Sequence, residues 1–261
     1  MSDSTASQPE SQYSLAKILI IWVTAAAPMP FLTFVIGPWL AQYVDLKVEL
    51  VRWMCIIVGL AWLFVISMIV LRRELGTLRW SVIRKRMWYQ KPRDPKTGEP
   101  TLKPLWWALP AILISAIVTA TPIGAVLQQA MLTVFPFLRP WVMGGQELLS
   151  PEFEGQWWLL GVWLVSSIFN YFLGEEFLFR GVLLPKMKGV FGRWDWFMNV
   201  VLFSAWHLHQ PWGFLGVIVG LSLAAWASRR YQCNWIFFIV HGIDFVFITV
   251  MLTLVIAGLG P

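Results

Sequence analysis

The chain has 261 residues, of which 58% are hydrophobic and only 13% are charged. Soluble globular domains carry about 25% charged residues, so the composition excludes an ordinary soluble domain and indicates a protein that crosses a membrane several times. The net charge of +6 does not indicate nucleic-acid binding, because the basic residues lie mainly between apolar segments, as in cytoplasmic loops.

Residues 1–13 are polar and are predicted to form a disordered cytoplasmic N-terminus. Apolar stretches of about 20 residues are long enough to cross a bilayer as helices. About seven such stretches follow, with six to eight as the expected range: Leu15–Val44, Val51–Leu71, Leu105–Leu138, Trp157–Met187, Trp194–His209, Trp212–Ser228 and Trp235–Leu259. The third stretch is overlong and contains Pro122, which predicts a broken helix or a re-entrant pair.

The loop from Arg72 to Lys103 sets the expected orientation. It carries ten Lys or Arg against three acids, so the positive-inside rule predicts that this loop and the N-terminus are cytoplasmic. The sequence then divides into N-terminal transmembrane helices at 14–140, with the basic loop at 72–103, and a C-terminal unit at 155–259. We expect a multi-pass protein of a cell membrane.

Two adjacent acids, Glu175 and Glu176, lie inside an otherwise apolar stretch, with Arg180 four residues after the second. A carboxylate near the bilayer centre costs about 2.5–3.5 kcal/mol on insertion scales, so these residues require a partner, a wet cavity or a chemical role. Residues at i and i+4 share a helix face, which predicts that Glu176 pairs with Arg180. Glu175 is left without a cation partner and is suited to act as a general base toward water.

All three histidines fall in the C-terminal half. Glu175 and His207 lie equally far along the chain from the turn between their two spans, which predicts similar depth at about 1.5 Å per residue. His207 could share a proton with Glu175 or orient the water. His241, nearer the cytoplasmic side, could donate to a developing oxyanion. The part of Asp244 is left open, and His209 is expected at a helix end or on the surface.

Two other interpretations of these residues remain open. Glu175 and Glu176 could form a purely structural ion network with Arg180. Buried Glu and His also form proton relays in transporters, although the sequence has no evident inverted repeat of the kind that many transporters contain.

The chain resembles the CAAX-protease and bacteriocin-processing (CPBP, or Abi) family of intramembrane proteases over about 157–254. The resemblance rests on Glu-Glu-x-x-x-Arg (Glu175, Glu176, Arg180), Phe-x-x-x-His (Phe203, His207) and a third-motif histidine (His241). It implies an all-α polytopic membrane protein with a conical catalytic cavity in its C-terminal half. It also implies hydrolysis of a peptide bond by water that a glutamate activates.

The residues assigned to the catalytic site are Glu175, His207, His241, Glu176 and Arg180, which match the motifs of this family, together with Asp244, the polar residue nearest to the last position of the third motif. The third motif of the family usually ends in Asn four residues after the histidine, whereas this chain has Phe245 there. No cofactor is required, with zinc on Glu175, His207 and His241 as the alternative; the His-Glu-x-x-His spacing of zinc proteases is absent.

The expected partners are the lipid bilayer and a membrane-embedded or lipid-associated peptide substrate, with no nucleic acid. The expected location is a bacterial inner membrane. The alternative function is a non-catalytic bacteriocin-immunity or scaffold protein of the same fold.

Overall fold

The computed structural model of the protein describes residues 11–142 and 150–260. Every named element in these two ranges is helical, and an isolated β-bridge joins Arg93 and Pro100 in the basic loop. The predicted all-α fold of a polytopic membrane protein is confirmed. The predicted disordered segment lies outside the described residues, except for positions 11–13.

Five helices lie in the described part of the N-terminal half: α1 (Leu15–Leu40), α2 (Val48–Leu75), α3 (Trp80–Arg86), α4 (Lys103–Ala120) and α5 (Pro122–Val134). The overlong third stretch is a broken helix. Thr121 is extended between α4 and α5, its hydroxyl accepts a hydrogen bond from the Ile123 N–H, and Pro122 takes the first position of α5. A Thr cap followed by Pro is a common helix start. The sequence did not predict α3.

Four further helices lie among the described residues of the C-terminal half. α6 covers 158–186 and changes its winding, from α-helix (Trp158–Ser167) through two π-helical stretches (Ile168–Gly174, Glu176–Leu183) to a 3₁₀ turn (Leu184–Lys186). The other three are α7 (Asp195–Trp206), α8 (Pro211–Tyr231) and α9 (Trp235–Ile256). Short single turns lie at Pro136–Trp141, Pro151–Phe153, Lys188–Phe191 and Gly192–Trp194.

Five helices of the described residues, α1, α2, α4, α8 and α9, are long and apolar enough to cross a membrane. α6 is long but contains the charged residues discussed above, and α7 has only 12 residues. The count of seven spans and the conical cavity therefore stay predictions.

α6 lies inside the helix bundle, against α2 and α9. Gly174 permits the approach to α2, because a Cβ there would lie 2.7 Å from the carbonyl oxygen of Leu60. That separation is too short for any side chain, so this glycine sets how closely the two helices pack.

Side chains from three other elements hold the last turns of α6. The carbonyls of residues 179 to 182 accept hydrogen bonds of 2.7 to 3.1 Å from Asn199 of α7, Asn234 before α9 and Arg86 of α3. Carbonyls near a helix C-terminus lack donors within the helix, and Pro185 supplies no N–H. The helix that carries both glutamates is therefore anchored at this end.

Tyr13 is buried and ordered, which differs from the disorder that the sequence predicts for this position. Its N–H donates to the carbonyl of Lys186 at 2.9 Å, and its hydroxyl donates to the carboxylate of Glu74. Arg86 pairs with the same carboxylate, with Nε at 2.6 Å and Nη2 at 3.0 Å. These bonds compensate for burying Tyr13 and tie it to the end of α6.

The connections with excess positive charge meet at one end of the bundle. The N–H of Arg93 in the basic loop donates to the carbonyl of Tyr231, between α8 and α9, at 2.9 Å. At the other end Lys47 pairs with Glu152. Helices that cross the membrane in alternating directions require this grouping of the connections. Which end of the bundle faces the cytoplasm stays a prediction.

Candidate active site

Glu175 lies at the junction of the two π-helical stretches of α6 and is 2% exposed. Its carboxylate faces two imidazoles. Oε1 lies 3.6 Å from Nε2 of His207, and Oε2 lies 3.8 Å from Nε2 of His241. The structure thus brings together the three side chains that the sequence put at one site.

His207 is fixed by the end of its own helix. α7 stops at Trp206, three residues earlier than the predicted span, and His207 is its C-terminal cap. The His207 ring nitrogen Nδ1 lies 2.9 Å from the carbonyl oxygen of Phe203. A carbonyl oxygen can only accept, so Nδ1 carries the hydrogen and, in the neutral ring, Nε2 presents a lone pair toward Glu175.

His241 lies between the two glutamates. Its Nδ1 is 2.9 Å from Oε1 of Glu176, while its Nε2 points toward Glu175. The sequence placed His241 nearer the cytoplasmic side, yet it contacts both carboxylates. A carboxylate that binds Nδ1 fixes the tautomer and the orientation of a histidine, so Glu176 acts on Glu175 through His241.

The predicted ion pair between Glu176 and Arg180 does not form in the described part of the chain. Arg180 instead donates from Nη1 to the Asn199 side-chain oxygen. Its guanidinium carbon lies 3.8 Å from the ring centre of Phe237 and 4.7 Å from that of Phe203. Amide and aromatic groups from other helices therefore bind this cation, the latter by cation–π attraction, while His241 binds the acid.

Asp244 is half-buried and has no hydrogen-bond or salt-bridge partner among residues 11–142 and 150–260. Phe245, at the position where the related family has asparagine, packs in an aromatic cluster. Its ring stacks on Trp163 at 6.5 Å and meets Phe172 edge-on at 6.1 Å. The third motif therefore supplies no amide to the glutamates.

His209 follows the end of α7, which is one of the two positions that the sequence predicted for it. The other alternative, a surface position, is wrong, because the residue is 5% exposed. Its ring stacks on His207 with a centroid separation of 5.6 Å. The turn after Trp206 folds the side chain back into the protein.

Sequence reasoning missed two residues at this site. The Asn170 amide faces Glu175 at 3.2 Å from each carboxylate oxygen. Tyr89, from the basic loop, is buried beside Phe177, and its hydroxyl has no partner in the described residues. Burial, with the nearby Glu176 carboxylate, raises the pKa of Tyr89 well above its usual value. The signal that the sequence offered for Asn170 was its polar side chain in the uncharged run before Glu175.

An apolar cavity of about 380 Å³ lies beside the glutamates. Phe172, Leu173 and Phe177, which flank Glu175 and Glu176 along α6, line one wall, and Tyr89 and Trp235 line another. Residues on both sides of the two glutamates along α6 therefore line this cavity.

The residues named for a zinc ion do not make a recognisable metal site. No group of three or more His, Cys, Asp or Glu side chains within the described ranges is arranged to hold a metal ion. Glu175, His207 and His241 are instead paired with one another and with Phe203 and Glu176 by the contacts given above.

The fold and this cluster define a class: a multi-pass, all-α membrane protein with a buried glutamate between two histidines. Residues 156–247 match the family described as type II CAAX prenyl endopeptidase, Rce1-like. The match confirms the resemblance over these residues and supports, at the level of the family, a CAAX-protease-like peptidase. No curated protein and no solved structure matches the chain.

Proposed function

We propose that the protein is an intramembrane endopeptidase in which Glu175 activates a water molecule against a peptide bond. The observation that carries the proposal is a carboxylate, 2% exposed, that faces Nε2 of both His207 and His241. Burying an isolated charge costs free energy. The stability of the fold therefore does not explain why an acid is buried beside two imidazoles.

Glu175 is free to bind a water molecule. Its distances of 3.6 and 3.8 Å to the two imidazoles exceed direct hydrogen-bond lengths, so neither ring occupies its lone pairs. Glu175 and the neutral ring of His207 both present acceptors. A water molecule beside them can donate one proton to Glu175 and the other to His207.

The steps follow from these roles. Water attacks the carbonyl carbon of the scissile bond and gives a proton to Glu175. The carbonyl oxygen becomes an oxyanion, to which a protonated His241 can donate from Nε2 while Glu176 balances its charge on the other side. The C–N bond then breaks as the leaving nitrogen takes the proton from Glu175. The loss of this proton returns the carboxylate to its starting form. His207 orients the water.

The apolar surroundings of the site support a membrane-associated peptide as substrate. The apolar cavity beside Phe172 and Phe177 is suited to hydrophobic side chains or a lipid group next to the scissile bond. The proposed location is a bacterial inner membrane, with the N-terminus and the basic loop in the cytoplasm. We propose no nucleic-acid partner.

No step of this mechanism passes through a metal. We therefore expect that the chelators EDTA and 1,10-phenanthroline leave the cleavage rate of the purified protein unchanged, and that metal analysis finds less than one zinc per chain. Loss of activity on chelation, with recovery on adding zinc, would contradict the proposal of a glutamate-type mechanism.

The experiment that tests the function, and also identifies a substrate, compares membrane peptides from cells with the wild-type protein and with Glu175→Gln. We expect peptides that occur only with the wild type, while both proteins insert equally into the membrane. Identical peptide sets would argue against proteolysis. Protection or partner binding that survives in Glu175→Gln would favour the immunity or scaffold alternative.

A further inference from the structure

We propose that Asn170 is a positioning residue whose amide fixes the carboxylate of Glu175 for proton transfer from water. The inference rests on the proposed endopeptidase function. Two observations carry it: the distance between the two side chains and the winding of α6.

The amide lies 3.2 Å from both Oε1 and Oε2 of Glu175. Amide orientation is assigned from the hydrogen-bond network, since the nitrogen and oxygen are nearly the same shape. With the oxygen toward Glu175, acceptors would face acceptors. With Nδ2 toward Glu175, the amide donates to the carboxylate and the conflict disappears.

The neighbouring Tyr171 is packed at the same site. It is 4% exposed, and its ring meets the His241 ring edge-on at 4.8 Å.

The π-helical winding of α6 makes the contact possible. In an α-helix, residues five apart lie about 140° apart around the axis. A π-helix bonds residue i to i+5, and with roughly 4.4 residues per turn the same two positions lie about 50° apart. Asn170 falls in the π-helical stretch Ile168–Gly174, so the unusual winding turns its side chain toward Glu175.

An amide suits this position chemically. Nδ1 of His207 binds the Phe203 carbonyl and Nδ1 of His241 binds Glu176, so neither Nδ1 atom is available to Glu175. Asn170 can donate to the carboxylate without carrying a charge, and it has no proton to lose at working pH. It therefore orients the base and leaves it free to accept a proton, whereas a lysine at the same place would pair with it permanently.

The kinetic test uses Asn170→Leu, which is similar in size but has no hydrogen-bonding group, with Gln129→Leu on the exposed face of α5 as the matched control. The probe is a quenched fluorescent peptide that spans a cleavage site found in the peptide comparison. We expect kcat to fall about 10- to 100-fold with KM changed less than about threefold, because a slightly misplaced reacting group costs up to about 100-fold.

A second readout needs no substrate. Infrared difference spectra of wild type against Glu175→Gln identify the carboxyl bands of Glu175. We expect these bands to shift in Asn170→Leu and in Asn170→Asp and to stay in place in Gln129→Leu. If Asn170→Leu does not fold, Asn170→Asp keeps the size and polarity of the site and is judged by the same criteria.

The outcomes separate the two proposals. Unchanged bands together with unchanged kcat in the Asn170 variants would overturn the role of Asn170 and leave the endopeptidase intact. Shifted bands in a protein that cleaves no peptide would support the contact with Glu175 while the proposed function fails. A loss of kcat equal to that of Gln129→Leu would also count against Asn170.

Discussion

At the scale of single residues, the adjacent Glu175 and Glu176 have different roles because they contact different side chains. Glu176 binds Nδ1 of His241 at 2.9 Å, whereas the contacts of Glu175 with Nε2 of His207 and of His241 are 3.6 and 3.8 Å. A short bond orients a partner, whereas the longer contacts leave Glu175 without a direct hydrogen bond to either ring. The chemistry is therefore assigned to Glu175 and the orientation of His241 to Glu176.

This division of roles predicts a graded effect at Glu176. Glu176→Gln keeps an oxygen that can accept from His241, so kcat should fall by about tenfold, whereas Glu176→Ala removes the acceptor and should cost about 100-fold or more. The measurement is kcat for the peptide substrate, with thermal unfolding as the control for folding. Full activity in Glu176→Ala would show that His241 needs no such partner.

The sequence predicted the meeting of Glu175 with His207, because antiparallel helices convert chain distance into depth. It placed His241 in the same cavity but nearer the cytoplasmic side. It failed for Arg180, where spacing alone cannot reveal that Asn199 and two aromatic rings from other helices compete for the cation. It missed Asn170 because the argument assumed α-helical geometry.

At the scale of the elements, α6 determines the site. Its π-helical winding exposes different faces from those of an α-helix, and bonds from Arg86, Asn199 and Asn234 hold its last turns. Helix α7 ends early enough for the His207 ring to bond its own last turn. Both features are local departures from regular geometry at the place where the candidate chemistry lies.

The close packing of α6 on α2 gives a second prediction. Gly174→Ala should lower the free energy of unfolding by about 1–3 kcal/mol, because the new methyl group would meet the Phe169 carbonyl oxygen of α6 and would lie 2.7 Å from the Leu60 carbonyl oxygen of α2. Gly161→Ala, on the same helix with nothing within 4 Å of the added carbon, is the control. Its stability should be unchanged or slightly higher, since Ala favours helix over Gly. Equal effects of both substitutions in thermal unfolding would refute the close approach.

Periodicity and proline predicted most elements. The break between α4 and α5 lies at Thr121 and Pro122, and a proline inside an apolar stretch predicts such a break. The short α3 was not predicted, because the basic loop has no long apolar period. Tyr13 was assigned to a disordered segment, because the buried carboxylate of Glu74 that binds it comes from a helix 61 positions away.

At the scale of the whole molecule, charge separates the two ends of the bundle. The basic loop meets the turn between α8 and α9 at one end, and the Lys47–Glu152 pair lies at the other. An excess of Lys and Arg at one end predicts that this end is cytoplasmic.

Cysteine labelling measures this orientation directly. In intact cells a membrane-impermeant maleimide should label Tyr43→Cys, in the exposed loop between α1 and α2, and should not label Lys96→Cys in the basic loop. Inside-out vesicles should give the reverse. Native Cys55 and Cys233 are buried and supply the unlabelled background. Labelling of Lys96→Cys from outside intact cells would contradict the proposed topology.

The central claim is that Glu175 activates the water that cleaves a peptide inside the membrane. The most direct measurement is the cleavage rate of the reconstituted protein and its Glu175→Gln variant on one peptide substrate. We predict product from the wild type and a loss of about 1,000-fold or more from Glu175→Gln, with both proteins folded. Undiminished cleavage by Glu175→Gln would contradict the claim.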